Sequence, residues 1–140
     1  LVRGTAQLAS TNLLGSEQLG LGGAANLRGY EEREANGDDG FILVNELHLL
    51  ARREAQSVGA GQTGTRPDPY VFVDYGVVAS HERLPGEPGH LELSSAGVGF
   101  RYRLGGHLNL RADYGWQLKA SGVSDGRRTA RGHLSVILSY

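Results

Sequence analysis

The 140-residue chain contains no cysteine and no methionine, and it has only four prolines and one tryptophan. Without cysteine a thiol nucleophile is impossible. The absence also fits an exported bacterial protein, although many cytosolic domains lack cysteine as well. Because methionine is missing even at position 1, and no signal peptide is visible at Leu1, we expect the chain to be a fragment or a processed piece.

Excess charge and long apolar runs are also missing. The 14 lysines and arginines nearly balance the 15 acidic residues, giving a net charge of −1. No basic stripe is therefore available to neutralise phosphates, which argues against nucleic acid as a partner. No apolar run reaches the roughly 18 residues of a transmembrane helix. Strands that cross a membrane stay possible, because each needs only about 9–11 residues of alternating character.

The residues that usually carry catalysis do not form a recognisable motif. The five histidines lie far apart, without the spacing of zinc ligands. Asp38-Asp39 lacks the acidic ladder of a calcium loop, and the glycine cluster at 20–23 lacks the lysine and hydroxyl of a phosphate loop. No serine lies in a G-x-S-x-G elbow. We therefore predict no enzyme, no cofactor and no metal.

Alternation of apolar and polar residues is the main structural signal. It predicts strands over Phe41–Glu54, Tyr70–Ser80, Ala96–Leu104, Leu108–Lys119 and Gly132–Tyr140 and, from a rougher pattern, over Gly4–Leu13. Helix is a rival over 45–56, because NELHLLARREAQ contains good helix formers. The connections are predicted at Gly59–Pro69, His81–Gly89, Gly105-Gly106 and Ser121–Arg128. Period-two strands joined by hairpins predict an antiparallel meander.

Two architectures fit this meander. In a soluble β-sandwich the apolar face meets another apolar face, whereas in a membrane barrel it meets lipid and the polar face lines a lumen. Tyr102, Tyr114 and Trp116 fall on the apolar face, where an aromatic girdle would lie. Aromatic residues are also simply good strand formers. Composition alone leaves both architectures open.

Residues 15–40 form a long loop between the first two predicted strands. Its centre is Leu27-Arg28-Gly29-Tyr30, and Asn36-Gly37 near its end is a strong turn signal. The loop has few large apolar groups, so we expect it to build no core of its own. A loop of this length without regular structure is usually functional or disordered.

The loop and a second motif together resemble a known family. The pattern LGG…LRGY-E…GD-G…NEL is followed, about 45 residues after its arginine, by Phe72-Val73-Asp74-Tyr75-Gly76. Both motifs are similar to those of the two-partner secretion transporters (TpsB family), outer-membrane barrels of the haemolysin activation/secretion type. The resemblance implies an all-β, antiparallel transmembrane β-barrel of which 1–140 is the C-terminal part, about six of roughly 16 strands. It also implies that the family's periplasmic POTRA domains lie outside this piece.

In such transporters the loop folds back into the barrel lumen, where its tip arginine pairs with the aspartate of the wall motif. The resemblance therefore assigns a lumen lock to Arg28, Gly29, Tyr30 and Asp74, and a wall motif to Phe72, Asp74 and Gly76. The bland alternative for Arg28 is a solvated loop arginine. The polar strand face predicts a hydrated lumen lining formed by Glu46, His48, Arg101, Arg103, Arg111, Asp113 and Lys119. A C-terminal aromatic, here Tyr140, resembles the signal that outer-membrane barrels show to their assembly machinery.

The implied function is an outer-membrane pore of a Gram-negative bacterium that translocates an unfolded exoprotein, a haemolysin or adhesin. Its implied partners are that exoprotein, outer-membrane lipid and the barrel-assembly machinery. One alternative is a barrel-assembly factor of the same superfamily. Another is a soluble β-sandwich that binds a partner through residues 20–40, and a weaker one is a passive lipase- or autotransporter-like barrel.

Overall fold

The computed structural model describes residues 1–49, 66–82, 89–104, 107–122 and 127–139. These residues form β-strands only: β1 (Val2–Gln7), β2 (Leu19–Leu21), β3 (Ala35–Gly37), β4 (Asp39–His48), β5 (Arg66–Ala79), β6 (His90–Leu104), β7 (Leu108–Gln117) and β8 (Ala130–Leu138). Among the described residues, no helix has the length and apolar character needed to span a membrane.

Six of the strands form one antiparallel sheet in the order β1-β4-β5-β6-β7-β8. Neighbours in this sheet are neighbours in sequence, apart from the loop between β1 and β4. This arrangement confirms the predicted all-β meander. The remaining strands, β2 and β3, pair with each other inside the loop. Within the described residues β1 and β8 are the two edges of the large sheet.

The alternation of side chains gives the sheet two unlike faces. We call the face covered by the loop the loop face, and the opposite one the open face. The register places Val44 opposite Asp74 and Asp74 opposite Ser95, so these buried residues share the loop face. The open face carries apolar residues that are each 37% to 73% exposed. They are Phe41, Leu47, Val71, Val73, Val98, Phe100, Leu104, Tyr114, Trp116, Leu134, Val136 and Leu138.

The loop between β1 and β4 packs onto the loop face and contributes to the core. Its residues Leu21, Leu27, Tyr30 and Ala35 are buried in one cluster with the wall residues Ile42, Val44, Val78 and Leu93. The expectation of a loop without regular structure is therefore wrong, because β2 and β3 lie within it, whereas the loop indeed builds no core of its own. The few apolar groups of the loop suffice, because the sheet wall supplies the other half of the cluster.

Several strand ends differ from the predictions. β1 ends at Gln7 instead of Leu13, and β6 begins at His90 instead of Ala96. Pro67 and Pro69, predicted as part of a turn, belong to β5. Both prolines pair with β6, but the Pro69 carbonyl accepts from the Leu49 N–H on the β4 side. The proline nitrogens therefore face away from β6, and the missing N–H groups remove no bond of the β5–β6 ladder.

Some predictions fall on residues outside the described ranges. The helix alternative over 45–56 is wrong as far as His48, because β4 continues to that residue. The rest of that segment lies outside the described residues, as do Gly105-Gly106, Tyr140 and large parts of the predicted connections.

Candidate functional site

The tip of the loop places one arginine against one aspartate of the sheet wall. Arg28 lies between β2 and β3, and Asp74 lies in β5. Arg28 Nε donates to Asp74 Oδ2 at 2.8 Å and Nη2 donates to Oδ1 at 2.6 Å, while the backbone N–H of Arg28 donates to Oδ2 at 3.2 Å. Arg28 is 1% exposed and Asp74 is 0% exposed. Such a two-pronged pair fixes orientation as well as distance.

Two further strands contribute to the surroundings of this guanidinium. Arg28 Nη1 donates to Glu46 Oε1 of β4 at 2.7 Å and lies 3.6 Å from Asp113 Oδ1 of β7. The Phe72 ring centre lies 3.6 Å from Arg28 Cζ, a distance typical of a cation–π contact. One loop side chain therefore contacts three separate strands of the wall.

Two arginines of the wall balance the remaining negative charge. Arg101 Nη2 donates to both oxygens of Glu46, at 2.9 and 2.8 Å, and Arg111 Nε donates to Asp113 Oδ2 at 2.6 Å. Together with the loop arginine, three guanidinium groups face three carboxylates. Because an unpaired buried charge is costly, this balance explains how the cluster stays buried.

Aromatic and imidazole groups surround the charged cluster. Tyr70 is buried and donates its hydroxyl to Asp113 Oδ1 at 2.5 Å. Arg101 Cζ lies 4.6 Å from the Tyr70 ring centre. His48 Nδ1 lies 2.9 Å from the Asp68 carboxylate. Tyr70 was not predicted as a site residue, because an aromatic residue in a strand is first read as packing.

Burial and ion pairing act on Arg28 in opposite directions. Burial alone lowers the pKa of its guanidinium, but the hydrogen bond and charge of Asp74 and the hydrogen bond of Glu46 raise the pKa above its ordinary value. Arg28 therefore carries its charge at every pH at which the protein is folded. The loop tip is held by a permanent cation.

Two predicted glycines lie where backbone or side chains approach closely. Gly29 has a φ of +102°, a conformation that side chains disfavour. A Cβ on Gly76 would lie 2.8 Å from Leu21 Cδ2 and 2.9 Å from Leu27 Cδ1. Gly76 thus makes room for the apolar residues of the loop.

Tyr30 contacts β6 at Ser94 and the chain just after β7 at Lys119. Its buried hydroxyl oxygen lies 2.7 Å from the carbonyl oxygen of Ser94 and 2.7 Å from that of Lys119. The hydroxyl has one proton and donates to one carbonyl at a time, and it accepts from the Ser94 N–H at 3.3 Å. Burial raises the pKa of Tyr30 above its ordinary value. The neutral phenol that donation requires is therefore the favoured form.

Some residues that hold the tip were not predicted. Gln117 Nε2 donates to the Gly29 carbonyl at 3.0 Å. A Cβ on Gly97 would lie 2.3 Å from Phe72 Cζ, so this glycine makes room for the ring beneath Arg28. Gln117 follows the same alternation as the predicted Asp113, and that pattern could have identified it.

Two predicted lining residues lie away from the Arg28 cluster. Arg103 Nε donates to Asn109 Oδ1 at 2.9 Å, at an exposed part of the loop face. Lys119 Nζ lies 2.5 Å from Glu92 Oε2, and Glu92 occupies an open-face position of β6. Lys119 therefore contacts an open-face residue, whereas it was predicted to line the lumen. Because β7 ends at Gln117, the alternation of the strand no longer fixes the direction of this side chain.

A cavity of about 1270 Å³ opens beside the cluster, toward the sheet end where β6 finishes and β7 begins. Its polar lining includes His48, Asp68, Arg101, Arg103 and Arg111. The described residues contain no group of three or more side chains suited to holding a metal ion. The chemistry that the arrangement supports is attachment of a loop to a wall and hydration of the space beside it.

The sequence comparison agrees with this geometry. A model of the family described as haemolysin secretion/activation protein ShlB/FhaC/HecB matches residues 2–102. The chain belongs to this family, which is one of two-partner secretion transporters and not of enzymes. The match includes the loop and the wall as far as Arg101, whereas Arg111 and Asp113 lie beyond it. Neither the curated proteins nor the solved structures gave a match.

Proposed function

We propose that this chain forms the C-terminal part of an outer-membrane pore that translocates an unfolded exoprotein in two-partner secretion. Membership of the transporter family supports the general role. The two faces of the sheet support the membrane setting, since apolar side chains cover the open face while charged groups and the loop occupy the other. The open face then contacts lipid and the loop face lines the lumen.

The observation that carries the proposal is the buried attachment of Arg28 to Asp74. A loop arginine that is 1% exposed and reaches three strands is not a solvated surface group. In a barrel completed by further strands, the loop occupies part of the lumen. An exoprotein can pass only when the loop leaves or shifts, so the Arg28 attachment sets how readily the pore opens.

Channel recordings on the purified full-length protein test the pore part of this proposal. Arg28→Ala removes the attachment and should increase the conductance in potassium chloride, because the loop no longer fills the lumen. The matched control is Arg128→Ala, which removes an arginine that is exposed in the structure. Equal conductance of both variants and the wild type, with the barrel folded, contradicts a lumen plug held by Arg28.

Secretion is tested in cells that produce the full-length transporter with its exoprotein. We expect Arg28→Ala to reduce the exoprotein in the medium at least tenfold while the transporter remains in the outer-membrane fraction. The pair holds the loop in one of the two positions that transport uses, so a loop without the pair leaves the pore open to ions but no longer switches between these positions. Normal secretion by this variant contradicts the role of the attachment. If loss of the transporter instead depletes unrelated barrels from the membrane, the assembly-factor alternative replaces the pore.

A further inference from the structure

The base of the loop contains a further buried carboxylate, away from the three carboxylates of the Arg28 cluster. Asp38 lies between β3 and β4 and is 0% exposed. Its Oδ1 accepts hydrogen bonds from the Leu13 N–H at 2.8 Å and from Gln18 Nε2 at 3.0 Å, and its Oδ2 accepts from the His81 N–H at 2.8 Å. The Asp38 N–H donates to the Ala79 carbonyl at 2.9 Å.

This carboxylate joins three segments that are distant in sequence. Leu13 and Gln18 belong to the chain entering the loop, Asp38 belongs to the chain leaving it, and His81 follows β5. Backbone N–H groups supply two of the three hydrogen bonds, so the carboxylate fixes main chain and not only side chains. The donors are neutral groups, unlike the guanidinium that meets Asp74.

The two attachments of the loop lie along one strand. Arg28 meets Asp74 in the middle of β5, whereas Asp38 meets Ala79 and His81 at the end of β5. Seven residues from 74 to 81 correspond to roughly 20 Å along an extended chain. Because the loop is attached at two separate points along β5, the attachments restrict its rotation against the sheet as well as its movement away from the sheet.

We infer that Asp38 is a positioning residue that fixes the base of the loop and serves as the pivot for movement of the tip. This inference rests on the proposed plug function. When the Arg28 attachment breaks, the loop tip moves while the base stays bound to the end of β5. When the Asp38 attachment breaks, the base separates from the wall although Arg28 remains paired.

A cysteine in β3 reports on the base directly. Ala35 is small, 4% exposed and three residues before Asp38. Residues 1–140 contain no cysteine, and any cysteine elsewhere in the full-length protein is first replaced by serine. Full-length protein with Ala35→Cys, in its membrane and without exoprotein, is treated with a bulky aqueous maleimide. We expect Asp38→Asn to increase the labelling rate at least tenfold and Arg28→Lys to increase it less than twofold. The matched control is Glu82→Gln, an exposed acid beside His81, which should leave the rate unchanged.

Heat-modifiable migration on gels shows in each case that the barrel is folded. If Asp38→Asn does not fold, Gln18→Ala removes one of the three donors and should increase labelling by an intermediate factor. Unchanged labelling in the folded variant overturns the inference. Equal increases in the Asp38 and Arg28 variants also overturn it, because they describe a plug that leaves as one rigid body. Since no exoprotein is present, a failure of secretion does not affect this result.

Discussion

Gly29 of the loop tip and Gly115 of β7 are in backbone contact. A Cβ on Gly115 would lie 2.7 Å from the carbonyl carbon and oxygen of Arg28 and 2.8 Å from the Gly29 nitrogen. A Cβ on Gly29 would in turn lie 3.0 Å from the Gly115 carbonyl. The tip is therefore inserted against β7 at a separation that only glycine permits, while its arginine reaches β5.

Gly115→Ala should displace the loop tip although it changes no charged group. A Cβ this close to main-chain atoms forces a backbone shift, with a cost of about 1–3 kcal/mol. We expect a higher channel conductance, in the same direction as for Arg28→Ala. Gly132→Ala is the control, since a Cβ there would lie 3.7 Å from the nearest atom, an ordinary contact. Identical conductance in the two variants means that the contact does not hold the tip.

Arg28→Lys separates the fork geometry of the tip residue from its charge. Lysine keeps a cation near Asp74 but cannot make two parallel bonds to it and also reach Glu46. Complete removal in Arg28→Ala leaves a buried carboxylate unpaired, which costs about 3–5 kcal/mol. We expect Arg28→Lys to lie between wild type and Arg28→Ala when protease cleavage of the loop is followed against urea. Cleavage of Arg28→Lys at the wild-type urea concentration would show that charge alone suffices.

Much of the wall was predictable because alternation has a period of two and identifies one face independently of the partner strands. That argument placed Glu46, Arg101 and Asp113 on one polar face, and the two motifs predicted that Arg28 meets Asp74. Register, in contrast, depends on pairing across strands. The sequence therefore gave no sign that Glu46 would contact Arg28 directly.

The residues that could not be predicted also depend on neighbours that are distant in sequence. Gly97 matters through the Phe72 ring, which the register of β5 with β6 places opposite it, and Gly115 matters through the backbone of Arg28 and Gly29 in the loop. Polar loop residues were predictable as a loop, but their short strands and buried apolar groups were not. The short strands and the burial of the apolar groups both depend on packing against the sheet wall, and the local sequence of the loop carries no information about that packing.

Tyr30→Phe should loosen the loop without releasing it. The change removes a buried hydroxyl that lies 2.7 Å from two carbonyl oxygens, at Ser94 and Lys119, and such a loss costs about 1–3 kcal/mol. We expect faster amide hydrogen exchange at residues 19–37 with unchanged exchange in β5. Tyr114→Phe is the control, because Tyr114 is on the open face and half exposed. Unaltered exchange in Tyr30→Phe would show that packing of the ring, and not its hydroxyl, holds this part of the loop.

Acid should release the base of the loop through Asp38. Hydrogen bonds from the His81 and Leu13 N–H groups and from Gln18 lower the pKa of Asp38. A carboxylate with a lowered pKa stabilises the folded state fully above its unfolded value of about 3.9, and this stabilisation disappears as the pH falls from there through the folded pKa. We therefore expect labelling at Ala35→Cys, divided by the labelling rate of free cysteine at the same pH, to accelerate only below about pH 4. The division is needed because the maleimide reacts with the thiolate, whose fraction falls as the pH falls.

Two other titratable groups face this site and must be separated from it. His81 Nε2 lies 3.3 Å from Asp39 Oδ2 and 3.0 Å from the Ala9 carbonyl. His81→Gln removes the imidazole while it keeps the backbone N–H that Asp38 accepts, so the acid step should persist in this variant. Asp38→Asn should abolish the step and give a high labelling rate, relative to free cysteine, at every pH. A step that disappears with His81→Gln and persists with Asp38→Asn would assign the acid response to the imidazole and its Asp39 partner, against the attachment at Asp38.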